Sequence, residues 1–163
     1  LPGTLVIEPE IFEDFRGFYV ELFNQARYRK AGVLPKFVED DFSVSVKHVL
    51  RGIHVDRKAR KLISCLHGSF YLVIVNCDPQ SRRFGAWESF TLSAPSRKQV
   101  LVPPKHGVAH LVLSDSVVFH YKQSEYYDPK RQATYRWDDP AFKIRWPVRN
   151  PILSKRDRLG HYV

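Results

Sequence analysis

The sequence predicts an all-β protein, an antiparallel sandwich or barrel forming one domain over residues 1–163. Three observations carry this. Short runs rich in Val, Ile, Phe and Tyr follow one another closely, and such residues suit pleated, half-buried surfaces. Gly, Pro, Asp and Ser interrupt the runs at short intervals, as in folds built from many short strands. Only one stretch, NQARYRKAG, reads convincingly as a helix. The length matches a single core, and a 44% hydrophobic composition is enough to fill it.

The elements follow in order. TLVIEPEIFEDFRGFYVELF reads as a strand, a turn carrying a glycine, and a second strand. In NQARYRKAG, Asn24 caps the start of the helix and Gly32 ends it. KFVEDDFSVS, HVLRGIHV, KLISCLHG, SFYLVIVNCD, FGAWESFTLS, RKQVLVPP, GVAHLVLS and SVVFHYKQS are then strands. SFYLVIVNC is apolar on both faces, so one face is expected to fill the barrel and the other to meet a second subunit. A homodimer follows from that expectation, and self-pairing also protects an open sheet edge. The tail, YRWDDPAFKIRWPVRNPILSKRD, has three prolines and little periodicity. It is expected to wrap the body.

A net charge of +9 favours an anionic partner. Nucleic-acid binders present a basic helix, a zinc frame or an aromatic platform strand. None is evident here, and the basic residues scatter over strands and turns. The charge therefore points to a phosphate-bearing small ligand and away from DNA or RNA. No apolar run approaches the roughly 18 residues of a membrane-spanning helix. The stretch LPGTLVIEPE lacks the basic and apolar regions of a signal peptide. Cys65 and Cys77 both lie in apolar strand-like runs. They read as buried thiols of a reducing cytoplasm, not as a disulfide framework.

The stretch HVLRGIHVDRKARK holds the densest chemistry. A period of two puts Leu50, Gly52, His54 and Asp56 on one face and Arg51, Ile53 and Val55 on the other. Gly52 would leave room beside His54 for close approach of a ligand. A general base needs that access and a pKa near neutrality, although a partly buried structural histidine fits the same pattern. Arg51 and His54 can serve one site only if the strand bulges or twists. In PPKHGVAHLVLS, His106 and His110 would complete a three-histidine metal site with His54. Metal-binding barrels usually carry two histidines one residue apart and a following glutamate; His54 has no such neighbour, so no metal is expected. His110 is then left to donate a hydrogen bond or to orient another group. VVFHYKQSEYYDP is dense in tyrosine. Beside a lysine in a closed pocket a tyrosine can serve as an acid, since a positive neighbour lowers its pKa. Lys61 in such a pocket can stabilise an oxyanion. In an ordinary strand both residues would simply pack or face solvent.

Taken together and in order, FEDFRGFYVE, VLRGIH, KLISCLHG, FGAWESFTLSA, VPP…AH, YKQSEYYDP, WDDP…IRWP and ILSKRD resemble the dTDP-4-dehydrorhamnose 3,5-epimerase family over nearly the whole chain. The resemblance implies a double-stranded β-helix, the cupin or jelly-roll barrel, with N- and C-terminal extensions. It implies a catalytic base at His54 paired with Asp157, an enolate-stabilising cation at Lys61 and a catalytic tyrosine at Tyr121. His110 matches the family's site histidine, and Arg16 and Arg51 match arginines on the nucleotide diphosphate. Glu21 and Tyr127 fall in the same ligand region. Relatives are homodimers in which N-terminal residues reach the other subunit's site, and they use no metal or redox cofactor.

This chain departs from the pattern at several positions. Relatives commonly have Gln and Asn where Glu39 and Asp41 stand, and often Glu where Gln132 stands. The loop between His54 and Lys61 is a few residues shorter, and Leu111 replaces a glycine. Glu39, Asp41 and Gln132 are therefore expected to alter how the nucleotide sugar is held. HLVLSDSVVFHYKQSEYYDP resembles members acting on other nucleotide 4-keto sugars, including GDP-linked heptoses. The implied activity is inversion of C3, C5 or both. The alternatives are C3-only epimerisation of a GDP-linked 4-keto heptose, and a sugar 3,4-ketoisomerase.

Overall fold

The computed structural model describes Leu1–Val163. Its elements are β1 (Leu5–Ile7), β2 (Ile11–Asp14), β3 (Gly17–Val20), α1 (Gln25–Lys30), β4 (Glu39–Val46), β5 (Leu50–Asp56), β6 (Lys61–His67), β7 (Ser69–Asn76), β8 (Trp87–Ser93), β9 (Gln99–Val102), β10 (His106–Val112), β11 (Ser116–Gln123), β12 (Gln132–Thr134) and α2 (Lys155–Arg158). One antiparallel sheet runs β1-β9-β6-β11-β4 and a second runs β12-β5-β10-β7-β8. A separate hairpin pairs β2 with β3. The all-β jelly-roll expectation is met.

The core lies where the sheets face each other. Ile63, Cys65, Val100, Val102, Val117 and Phe119 of the first sheet meet Phe70, Leu72, Ile74, Leu92, Val108 and Val112 of the second. The outer face of the first sheet is covered by α1, where Tyr28 and Val33 pack on Leu62 and Leu101. Asn24 caps α1 by accepting the N–H groups of Ala26 and Arg27. At the other end Gly32, at φ 90°, carries the chain out while Val33 N–H bonds back to Tyr28 O. This is the glycine-terminated helix end expected from the sequence.

β7 corrects one expectation. It is apolar on both faces, but the second face is covered by the chain's own tail. Val73 and Val75 pack there with Ile53, Val55, Cys77 and Ala109, under Tyr135, Phe142, Ile144 and Trp146 of the tail. The tail wraps the body, and in doing so uses up the surface assigned to a partner. The surface left bare lies elsewhere. Phe42, Val44 and Val46 project outward from β4, the edge of its sheet, and Ile11, Phe12, Phe15, Phe18 and Tyr19 project from the β2–β3 hairpin.

β5 carries the irregularity that places the site. His54 pairs with Val108 and Arg51 with His110, so β5 takes three steps where β10 takes two. The extra residue makes a β-bulge, which re-aims side chains. Arg51 and His54, of opposite parity in a regular strand, consequently share a face. Gly52 makes the bulge possible. Its φ is 128°, and a Cβ there would sit 2.5 Å from the Cβ of Ala109. The gap beside Gly52 is thus filled by the neighbouring strand. It is not the ligand space the regular two-residue period suggests.

Candidate active site

A cleft of ≈ 280 Å³ opens between β4, β5, β6, β10 and β11. Six of the residues singled out in the sequence line it: Asp41, Arg51, His54, Lys61, His110 and Tyr121. Phe42, Ser43, Val108 and Phe119 complete the wall.

Behind His54 stands Asp157, only 2% exposed. Its Oδ1 lies 2.6 Å from His54 Nε2 and also accepts the Gly52 N–H. Its Oδ2 accepts the Ser154 hydroxyl at 2.7 Å. Burial alone would raise the Asp157 pKa. The hydrogen bonds with His54 and Ser154, the His54 charge and the Gly52 N–H outweigh burial and hold the carboxyl below its ordinary value. An ionised Asp157 takes the Nε2–H tautomer of His54, leaving Nδ1 with the lone pair that can accept a proton. Ser154, not among the residues singled out in the sequence, thus supports the dyad from behind. It caps α2 through the Asp157 N–H, and the Ser-x-x-Asp spacing of a capped helix was its signal.

On the facing wall, Lys61 Nζ lies 5.1 Å from the centre of the Tyr121 ring. Burial lowers the Lys61 pKa, while the negative charge of Asp56 opposes it. Burial raises the Tyr121 hydroxyl to about 12, reinforced by the neighbouring Asp41 carboxyl. This reverses the expectation of a lowered tyrosine pKa, because burial and the Asp41 and Glu39 carboxyls all favour the protonated hydroxyl. The result still suits an acid, since Tyr121 stays protonated and holds its proton until a strong base forms beside it.

His110 is stacked on Phe119, ring centres 3.9 Å apart and planes within 9°. Burial, helped by the charges of Arg51 and His54, lowers its pKa to about 3. It is therefore a neutral imidazole, and its buried Nε2 has no protein partner. Arg51 donates from Nε to Ser45 Oγ at 3.0 Å, keeping its guanidinium at the cleft. In β4, period two puts Glu39, Asp41, Ser43 and Ser45 on one inward face, opposite Gln123, Tyr121, Phe119 and Val117. Burial and Glu39 raise the Asp41 pKa.

The remaining residues are less central. Glu39 accepts the Tyr127 N–H at 2.9 Å and a hydrogen bond from Gln123, but the Tyr127 side chain is exposed. Gln132 is turned to Asp56, donating to Oδ2 at 2.5 Å. Arg16 is paired with Asp14 at 2.6 Å on the hairpin, and Glu21 with Arg27 at 3.3 Å. Neither Arg16 nor Glu21 lines the cleft. His106 stays apart, its Nδ1 against Pro104 O at 3.0 Å, and no three His, Cys, Asp or Glu side chains converge as metal ligands. No helix is long and apolar enough to cross a membrane.

Known proteins share this fold and much of this sequence. The family described as dTDP-4-dehydrorhamnose 3,5-epimerase matches residues 1–162. The dTDP-4-dehydrorhamnose 3,5-epimerase of Shigella flexneri is 37% identical over 164 aligned residues, covering 98% of this chain and 91% of the relative. A crystal structure of dTDP-6-deoxy-D-glucose-3,5-epimerase from Legionella pneumophila, in complex with dTDP-4-keto-L-rhamnose, superimposes with a TM-score of 0.93 at 35% identity. That match covers 98% of this chain and 87% of the other. A 3'-monoepimerase from Streptomyces bikiniensis, in complex with dTDP-quinovose, gives 0.91 at 30% identity, covering 98% and 83%. A chain matched from end to end at this level, with the same fold throughout, belongs to the dTDP-4-dehydrorhamnose 3,5-epimerase family.

Proposed function

We propose that this chain is a cofactor-independent nucleotide-sugar epimerase that inverts C3, C5 or both of a nucleoside-diphosphate 4-keto sugar. The observation that carries the reading is the His54–Asp157 dyad set across one cleft from Lys61 and Tyr121. The C4 ketone acidifies the protons on C3 and C5. His54 Nδ1 takes one of them, and Asp157 steadies the imidazolium. The electron pair moves through the C–C bond to O4, where the Lys61 ammonium stabilises the enolate. Tyr121 then gives its proton to the carbon from the opposite face. His54 ends protonated and Tyr121 ionised, and proton exchange with water resets both. Every step is a proton transfer, so substrate and product have the same oxidation state.

Arg51 suits the diphosphate, since a guanidinium fork matches phosphate oxygens. His110, neutral and unpaired, suits a sugar hydroxyl. Arg16 and Glu21 lie off the cleft on or beside a hairpin with exposed aromatic rings. We assign them, in a homodimer, to the partner's nucleotide site. Tyr127, Glu39 and Gln132 belong to the nucleotide side of the same pocket. We take residues 1–163 as a single domain, and a nucleotide-sugar substrate would suit an enzyme of the cytoplasm. Asp41 favours a second reading of the substrate. Its Oδ2 is buried without a partner in the cleft wall where relatives commonly have Asn, which points to a sugar or base other than those of thymidine-linked deoxyhexoses.

Incubation in D₂O with UDP-, GDP-, CDP- and dTDP-linked 4-keto sugars tests the proposal by NMR. Deuterium at C3 and C5 with inversion is expected for the double epimerase, and at C3 alone for the single one. Migration of the carbonyl would instead make the protein a ketoisomerase.

A further inference from the structure

One buried carboxylate beside the cleft has no part in the chemistry above. Asp56 is only 3% exposed. Its Oδ1 accepts the N–H groups of Lys58 and Ala59, both at 2.8 Å. These bonds close the turn that carries the chain from β5 in one sheet to β6 in the other. Its Oδ2 accepts Gln132 Nε2, and Asp56 and Gln132 stand opposite each other in the β5–β12 ladder. An ionised carboxylate this deep is costly unless hydrogen bonds or a positive charge offset it. The first residue beyond the turn is Lys61, whose ammonium faces the cleft.

We propose that Asp56 is a positioning residue for the reaction: it closes the β5–β6 turn and sets a fixed negative charge beside Lys61, so that the ammonium stays aimed into the cleft and charged. The inference rests on the reading of Lys61 as the cation that stabilises the enolate. Lys61 shares the cleft with His54 of β5, Asp41 of β4 and Tyr121 of β11, and the charges of Asp56, Glu39 and Arg156 also act on it. Of the carboxylates, Asp56 opposes burial most strongly, while Arg156 works with burial. The short turn and Gln132 fit the same purpose. A carboxylate that already holds two backbone N–H groups needs a neutral donor on its second oxygen, and a glutamate at position 132 would put two negative charges in contact.

Exchanging amide and carboxylate separates charge from shape. Asp56→Asn keeps an Oδ1 acceptor for both N–H groups and gains an amide donor, so the turn survives and the charge is lost. Adding Gln132→Glu returns one negative charge, accepting from the new amide. In lysine-labelled protein without substrate, NMR titration of Lys61 is expected to show its pKa lower by about one unit in Asp56→Asn and restored in the double variant. With substrate, the alkaline limb of kcat moves to lower pH in Asp56→Asn, with KM little changed, and returns in the double variant. An unshifted Lys61 titration in Asp56→Asn, at unchanged melting temperature, overturns the proposal. A shifted titration with an unshifted rate profile keeps Asp56 in place and instead removes Lys61 from the enolate step. If Asp56→Asn fails to fold, the double variant decides: a wild-type Lys61 titration supports the proposal and a displaced one overturns it.

Discussion

At the level of single residues, the dyad and the neutral histidine make separable predictions. Asp157→Asn should lower kcat by on the order of 10²-fold or more, because the amide no longer fixes the basic tautomer of His54. Rates measured at saturating substrate check this, with nucleotide affinity nearly unchanged. His110 predicts an acid-side loss of stability. Its folded pKa is lowered from 6.5 to about 3, so below 6.5 the unfolded chain binds a proton that the folded one refuses. The contribution is complete above pH 6.5 and is lost as pH falls toward 3. Asp157 adds to this only lower, as pH falls through and below the ordinary carboxylate range, since its pKa is also depressed. Urea midpoints should therefore drop between pH 7 and pH 5, and drop less in His110→Gln. An equal drop in both proteins would assign the loss to other groups. His54, Lys61 and Tyr121 were readable from residue type and resemblance. The raised Tyr121 pKa was not, because it depends on burial of the hydroxyl and on Asp41 and Glu39 lying across a ladder whose register the sequence does not display.

At the level of elements, the bulge in β5 is what assembles the site. Strand alternation correctly located the inner face of β4 but misassigned β5, since one inserted residue reverses every side chain beyond it. Leu50 and Gly52 therefore do not share a face with His54, and Arg51 does. Gly52→Ala is expected to cost about 3 kcal/mol or more, from a positive φ and a collision with Ala109. Chemical denaturation measures it, and activity should fall with it as Arg51 and His54 lose their common face. The strands β4 to β11 were legible because apolar runs and turn residues mark them locally. β12, α2 and the role of Ser154 were harder to see. Their partners, Asp56 and His54, lie far away in sequence, and the elements themselves are three and four residues long.

At the level of the whole molecule, the exposed apolar surface bears on where the proposed partner would dock. The outer face of β7 is closed by the tail, whereas β4 and the β2–β3 hairpin leave phenylalanines and valines bare. That arrangement, not the one read from SFYLVIVNC, supports a homodimer. Sequence could show that β7 is apolar on both sides but not what covers each side, since the tail has no periodicity to reveal its docking face. If Arg16 serves the partner's site, an Arg16→Ala chain and a His54→Ala chain should both be nearly inactive alone. Refolded together, they should recover activity, because one site of each mixed dimer then holds both native residues. No recovery would mean that Arg16 and His54 act within one chain or that no shared site exists. The central claim is that His54 removes a carbon-bound proton from a nucleotide 4-keto sugar. Deuterium exchange at C3 and C5 in D₂O, compared between wild type and His54→Ala, tests it most directly. The expected result is rapid exchange in the wild type and a loss of at least about 10³-fold in the variant, with nucleotide binding preserved. Exchange at the wild-type rate in His54→Ala would contradict the assignment.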